Sequence, residues 1–307
     1  MKFSIGLTPY SRFPDLASLQ QTVRLAEGLG FYGVSIGDHA VIPASHARTL
    51  SPVWYDPLVL ATAIAVSTER LHLLFNTLVL PYHHPVRLAK AIASLDVLSN
   101  GRVVVGAGVG WIEEEFQALG VPWRERGART DEYIRAMKAL WANDRAEFAG
   151  RYVQFHDVFS EPKPVQKPHP PIWIGGGVPR TLERAAALGD GWHPLGRPFE
   201  KLRDEVATLR GLLSQRGRSM DKFTLSYSLY YESVAGQTQR HMRSAGGDEA
   251  SVLSGNPIEA GRQIAAFESL GFSHLTIRLR GLTYGELCHA MEAFAKNVLH
   301  DSTAKQG

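Results

Sequence analysis

The 307-residue sequence contains one cysteine, so no intramolecular disulfide can form and a disulfide-stapled scaffold is excluded. That residue, Cys288, lies in an apolar-periodic segment and reads as a small hydrophobe, which fits a reducing, cytoplasmic location. No stretch reaches the ~20 unbroken apolar residues of a membrane helix. Even the run 71–80 is interrupted by His72, Asn76 and Thr77, so no membrane span is expected. The start, Met1-Lys2-Phe3-Ser4-Ile5, enters a strand-like pattern with no basic and apolar leader, so no secretory signal is expected. Charge of one sign is also lacking. The 33 basic and 30 acidic residues leave +3, and the basic ones are scattered, which argues against a nucleic-acid surface. No fixed-period repeat or low-complexity tract is visible.

What is present is core material: 44% of the residues are hydrophobic, enough for a globular chain of this length to be either two domains or one α/β barrel. Order along the chain decides between them. Short apolar runs at 3–7, 33–37, 71–80, 102–106, 171–174, 189–192, 223–231 and 274–279 read as strands. Helical-period segments separate them at 15–29, 57–68, 85–98, 112–119, 127–142, 180–188, 199–216 and 257–270, and a last one at 284–299 closes the chain. In the first helix Leu16, Leu19, Val23, Ala26 and Leu29 share a face before Gly30 stops it. Asn256 is placed to cap the helix at 257–270, with Pro257 first and Glu259 available for a reciprocal bond. Eight strands with crossover helices predict a (β/α)8 TIM barrel, an α/β fold, as one domain over residues 1–300 with a polar tail at 301–307. Inserts are expected after strands 2, 4 and 7, at 40–55, 148–171 and 232–255. The second carries a possible hairpin around 152–155, and the third reads as a mobile lid.

In a parallel barrel the chemistry sits at the C-terminal strand ends. Strand two ends in Gly37-Asp38-His39, a carboxylate beside an imidazole that can exchange protons or bonds with a heterocycle, or simply cap a turn. Strand three places Asn76 and Thr77, before Leu78, in an otherwise apolar run, where buried polar groups need a partner. Adjacent His83 and His84 are poor metal ligands together, and no metal is expected. Strand four enters Gly106-Ala107-Gly108-Val109-Gly110-Trp111, where backbone can approach a ligand closely. Its spacing is not that of a Rossmann fingerprint. Strand five gives Gly175-Gly176-Gly177-Val178-Pro179 before a helix, a nest of N–H groups suited to a phosphate. Strand six ends in Asp190-Gly191-Trp192-His193, adding an imidazole to the rim.

The ordered set of Gly37-Asp38-His39, the Gly106-to-Trp111 run with Glu115-Phe116, Arg126 with Glu132, Pro162-Lys163-Pro164 to Pro170-Pro171-Ile172, Gly175-Gly176 and Asp190-Gly191-Trp192 resembles the luciferase-like monooxygenase family over nearly the whole chain. The Gly-Trp run and the Pro-Lys-Pro segment look most like the branch using the deazaflavin coenzyme F420, with FMN as the alternative. The resemblance implies a flavin-like ring in the barrel mouth. Asp38 and His39 would flank the ring, Asn76, Thr77 and Leu78 would form a bulge under it, Gly106, Gly108, Val109 and Gly110 would line it, and Gly175, Gly176, Gly177 and Val178 would hold the phosphate. The sugar-phosphate dehydrogenases of that branch carry a glutamate where this chain has Trp111, which disfavours their reaction. A tryptophan there suits a flat or apolar substrate, with Tyr10, Trp54 and Tyr55 completing an aromatic wall.

The expected activity is hydride transfer between a deazaflavin and a small organic substrate, with His39 as proton donor or base. The alternatives are an FMN-dependent monooxygenase using O2 and flavin reduced by a separate reductase, and, from another class, a non-catalytic flavin-binding barrel. Retention of Asp38-His39 favours an enzyme, and a homodimer is expected. Arg278 and Arg280, near the end of strand eight, either meet an anionic group or form outward salt bridges.

Overall fold

The computed structural model describes residues 1–177, 179–231, 252–279 and 282–299. Eight parallel strands pair in sequence order, β1 (Lys2–Gly6), β2 (Gly33–Ile36), β3 (His72–Phe75), β4 (Val103–Gly108), β5 (Ile172–Gly175), β6 (Gly191–His193), β7 (Thr224–Tyr231) and β8 (Phe272–Arg278). The sheet closes because β7 pairs with both β6 and β8, and β8 pairs with β1 in the register Ser4↔Thr276. The fold is the (β/α)8 barrel that the strand count predicts. Around it lie α1 (Leu16–Gly28), α2 (Ala47–Leu50), α3 (Pro57–Ser67), α4 (Pro85–Leu98), α5 (Glu113–Ala118), α6 (Arg126–Ala142), α7 (Pro179–Leu188), α8 (Phe199–Ser214), α9 (Pro257–Ser269) and α10 (Tyr284–Phe294).

Local rules account for the helix ends. Asp15 accepts from the Ser18 N–H to start α1, and Gly30 with φ 87° follows its end. Leu19, Val23 and Ala26 face the core, but Leu16, in the first turn, is 59% exposed. Asn256 caps α9 through the N–H groups of Ile258 and Glu259. The reciprocal bond expected from Glu259 is replaced by an ion pair with Arg262, and the full capping box is made by Thr283 and Glu286 at α10.

The insert before β5 holds the expected hairpin, from Ala146–Ala149 to Gln154–Val158. Because it follows α6, it enters β5 from the N-terminal side, away from the strand ends that carry the site. In the insert after β2, α2 forms a short turn of helix. Most of the expected lid, with Val178, Arg280 and the tail, falls outside the described residues. Val252–Leu253 extends the sheet beside Tyr230 and Tyr231.

One part of the barrel interior is filled by Leu74, Val104 and Trp173, with Tyr32 against them. Glycines make that fit possible: a Cβ on Gly33 would lie 2.4 Å from Leu74 Cδ1, and one on Gly191 2.5 Å from Trp173 Cδ1. A polar chain also crosses the interior. The Asn76 amide donates to His193 Nε2 (3.0 Å), His193 Nδ1–H to Ser226 Oγ (2.8 Å), Ser226 to His274 Nδ1 (2.6 Å), and His274 Nε2–H to Ser4 Oγ (2.8 Å). This single direction of donation satisfies both imidazoles in their neutral forms. Burial, helped by the nearby charge of Arg278, pushes His193 down to about 3. Burial also drives His274 well below the usual histidine range, with the proximity of His193 adding to it.

Candidate active site

The C-terminal strand ends enclose a cavity of about 740 Å³. Its floor is the break in the third strand, where β3 stops at Phe75, the Asn76–Thr77 peptide is cis, and Leu78–Val79 resumes pairing with β4. Three glycines seat that bulge. A Cβ on Gly106 would lie 1.9 Å from the Phe75 carbonyl oxygen, one on Gly108 2.3 Å from Thr77 Oγ1, and one on Gly175 2.5 Å from Thr77 Cγ2. These positions therefore exclude side chains because the chain's own backbone and Thr77 fill the space. Gly108, Val109, Gly110, Gly175 and Gly176 line the cavity, whereas Gly106, Gly177 and the fully buried Leu78 do not.

The adjacent Asp38 and His39 do not act on each other. His39 faces the cavity, and its Nδ1 is 2.8 Å from Glu115 Oε2. The other Glu115 oxygen accepts from the Ala40 N–H at 2.9 Å. With Nδ1–H donated to the carboxylate, the Nε2 lone pair of His39 is left for a ligand. Asp38 also borders the cavity but is engaged elsewhere, accepting from the Val79 N–H (2.9 Å) and from His83 Nε2 (2.8 Å) and so tying the end of β2 to the far side of the bulge. Burial disfavours the charged imidazole of His83, but the hydrogen bond and charge of Asp38, with Asp56, outweigh it and raise its pKa. The histidine weighed above only as a poor metal ligand is thus the partner of Asp38. Tyr82 also lines the cavity, and burial together with the charge and hydrogen bond of Glu115 holds its hydroxyl protonated.

The expected aromatic wall divides. Trp54 and Trp111 line the cavity, with ring centroids 4.5 and 6.4 Å from that of His39. Tyr10 is fully buried behind Trp54, where its hydroxyl accepts from the Gly37 N–H, so it backs the wall instead of meeting substrate. Tyr55 is 44% exposed and packs on Tyr10 outside the cavity lining.

The phosphate nest is smaller than three glycines suggest. The Gly176 N–H donates to the His193 carbonyl at 3.2 Å, and Gly177 packs under the stem of Arg197, which is ion-paired with Glu205. At the floor, Asn76 Oδ1 is buried without a partner among the described residues. A planar heterocycle bearing an N–H donor fits that oxygen, the bulge and the cavity volume. Among the described residues no three His, Cys, Asp or Glu side chains group to hold a metal, and no helix is long and apolar enough to cross a membrane.

Residues 2–231 match the family of luciferase-like monooxygenases. The chain belongs to that family. An uncharacterised protein of Mycobacterium bovis is 36% identical over 208 residues, 64% of this chain and 73% of that one. The FMNH2-dependent dimethylsulfone monooxygenase of Pseudomonas putida is 31% identical over 169 residues, 54% of this chain but 46% of its own length. The chain therefore aligns with about half of that relative. Among solved structures, the monooxygenase RslO1 of Streptomyces bottropensis superposes with a TM-score of 0.78 at 25% identity, covering 98% of this chain and all of that one. An F420-dependent secondary alcohol dehydrogenase superposes with a TM-score of 0.79 at 17% identity, covering 97% and 98%, which speaks to the fold alone.

Several residues that carried the luciferase-like resemblance hold the scaffold. Glu132 caps the hairpin turn by accepting from the N–H groups of Arg151, Tyr152 and Val153. Lys163 donates to the last carbonyls of α6, at Leu140 and to Asn143 beyond it. Asp190 accepts from the Ile172 N–H at the start of β5. Sequence reading passed over Arg48, Ser51, Tyr82 and Ser228, all of which line the cavity. Glu115 was legible in principle, since Ile112, Glu115 and Phe116 form the buried stripe of α5 while Glu113 and Glu114 are exposed.

Proposed function

We propose that this chain is the oxygenase of a reduced-flavin-dependent system that inserts oxygen into a small organic substrate. The observation that carries the reading is the placement of His39, fixed by Glu115, over the same cavity as the unpartnered Asn76 Oδ1. Asn76, Thr77, Gly108 and Gly175 would hold the ring, and the cavity edge at Gly175 and Gly176 would take its anionic end. A reduced flavin held there would supply the two electrons and two protons by which O2 gives one oxygen atom to the substrate and the other to water. His39 gives or takes the proton on the cavity side, Glu115 keeps its Nδ1–H in place, and Trp54 and Trp111 keep water from the reacting face.

FMN is preferred over F420 because a relative above 30% identity is named for reduced FMN, while the F420 enzyme shares only the fold. A separate reductase supplying the flavin, one domain over 1–300 and a homodimer belong to the same reading. Titrating the apo-protein with FMN and F420 side by side tests the cofactor. Tighter binding of F420 would restore hydride transfer from a deazaflavin, and failure to bind either would leave neither oxidoreductase reading standing. Oxygen uptake coupled to reduced FMN, lost in His39→Ala with FMN affinity retained, tests the role of the imidazole.

A further inference from the structure

The charged groups around the cavity are unequally satisfied. Both carboxylates, Asp38 and Glu115, are buried and engaged by histidines and backbone N–H groups. The arginines are not. Arg278, from the end of β8, and Arg48, from α2, line the cavity, and neither guanidinium has a hydrogen-bond or ion-pair partner among the described residues. The stem of Arg278 crosses Gly6, whose Cβ would lie 3.3 Å from Arg278 Cγ, so the missing side chain on β1 opens its path over the barrel mouth. Its charge is felt at His193, the imidazole that holds Asn76, so the guanidinium bears on the cavity floor. His193, the imidazole on which its charge acts, is neutral and cannot offset it. Across the same cavity stand the apolar surfaces of Trp54, Trp111, Val109 and Leu195.

A partly buried guanidinium with no counter-charge among the described residues, in a cavity with tryptophans in its lining, is a receptor for an anion on a flat or apolar frame. We infer that Arg278 binds the substrate's acid group and that the substrate is an organic acid, a carboxylate or sulfonate on an aromatic or apolar skeleton, with Arg48 adding to the field. This assignment rests on the cofactor reading above for what the site does, but not for what it binds.

Calorimetric titration with benzoate and with benzamide, equal in shape and different in charge, decides it. Both the apo-protein and FMN-saturated protein are used. Benzoate is expected to bind the FMN-saturated protein at least about tenfold more tightly than benzamide, as a charge-assisted bond requires. Arg278→Gln should erase that preference while FMN affinity stays within about twofold, because the anion receptor is separate from the cofactor's cradle. Arg278→Lys, keeping the charge without the planar fork, should retain part of the preference and serves if the Gln variant fails to fold. Equal affinities for the two probes, or a preference untouched by Arg278→Gln, overturns the inference. So does displacement of benzoate by FMN, or a large loss of FMN affinity in Arg278→Gln, since either assigns the arginine to the cofactor. If the protein binds neither FMN nor F420, the oxidoreductase reading fails, while the comparison of probes on the apo-protein still decides what Arg278 receives.

Discussion

Acidification from pH 7 to pH 5 is expected to destabilise this barrel through the polar chain inside it. His193 is buried and neutral, with its pKa held at about 3 by burial and by the charge of Arg278. In the unfolded chain the same imidazole titrates near 6.5. Between those values the unfolded state binds the proton and the folded state does not, so stability rises with pH and is lost as pH falls below about 6.5. Integrating over the two pH units gives about 2 kcal/mol for His193 alone. His274 adds to the loss in the same direction, because burial lowers its pKa too. His83 works the other way. Its raised pKa means that the Asp38 pair contributes fully below the unfolded value and weakens as pH rises through the folded one. Urea unfolding at the two pH values, on wild type and on His193→Gln, isolates the contribution. The variant should lose about 2 kcal/mol of acid sensitivity whatever its stability at pH 7. An acid sensitivity identical in wild type and variant would refute a neutral, proton-refusing His193.

Three substitutions probe the site's construction. Gly108→Ala places a methyl 2.3 Å from Thr77 Oγ1 and is expected to cost about 1–3 kcal/mol by overpacking, read as a lowered melting temperature together with weakened FMN binding. Asp38→Ala leaves His83 and the Val79 N–H without their acceptor, and a loss of about 1–3 kcal/mol in denaturant unfolding is expected, with Asp38→Asn recovering part of it. Glu115→Gln keeps an acceptor for Ala40 but no longer fixes the proton on His39 Nδ1. Turnover with reduced FMN should fall about tenfold or more and its pH profile shift, while FMN affinity holds. A turnover defect matched by an equal loss of flavin binding would make Glu115 a cofactor contact instead.

The geometry also explains how one acid-imidazole dipeptide serves two purposes. Just beyond β2, Asp38 and His39 both line the cavity, but Asp38 is engaged by His83 and the Val79 N–H of the bulge while His39 is engaged by Glu115. One residue of the pair ties down the floor, and its neighbour leaves an imidazole edge to the cavity.

The sequence by itself determined the architecture. Eight apolar runs with the length of buried strands, alternating with helical segments such as those capped by Asp15 and Asn256, leave little but a (β/α)8 barrel, because strand burial, helix periodicity and capping are all local properties of the chain. It also marked which strand ends carry polar or glycine residues, and so where to look. Only the tertiary structure decided what those residues do. The partners are 76 positions apart for His39 and Glu115 and 45 for Asp38 and His83, and their meeting depends on barrel register, which no local pattern encodes. The same holds for the glycines: Gly106, Gly108 and Gly175 read alike as places where a ligand approaches, yet the atoms that crowd them belong to Phe75 and Thr77. Tyr10 and Trp54 were equal candidates for the wall until packing buried one behind the other. Whether Arg278 faced solvent or the cavity was likewise open until closure of β8 against β1 laid its stem across Gly6, because only a closed barrel gives a strand-end side chain an interior to enter.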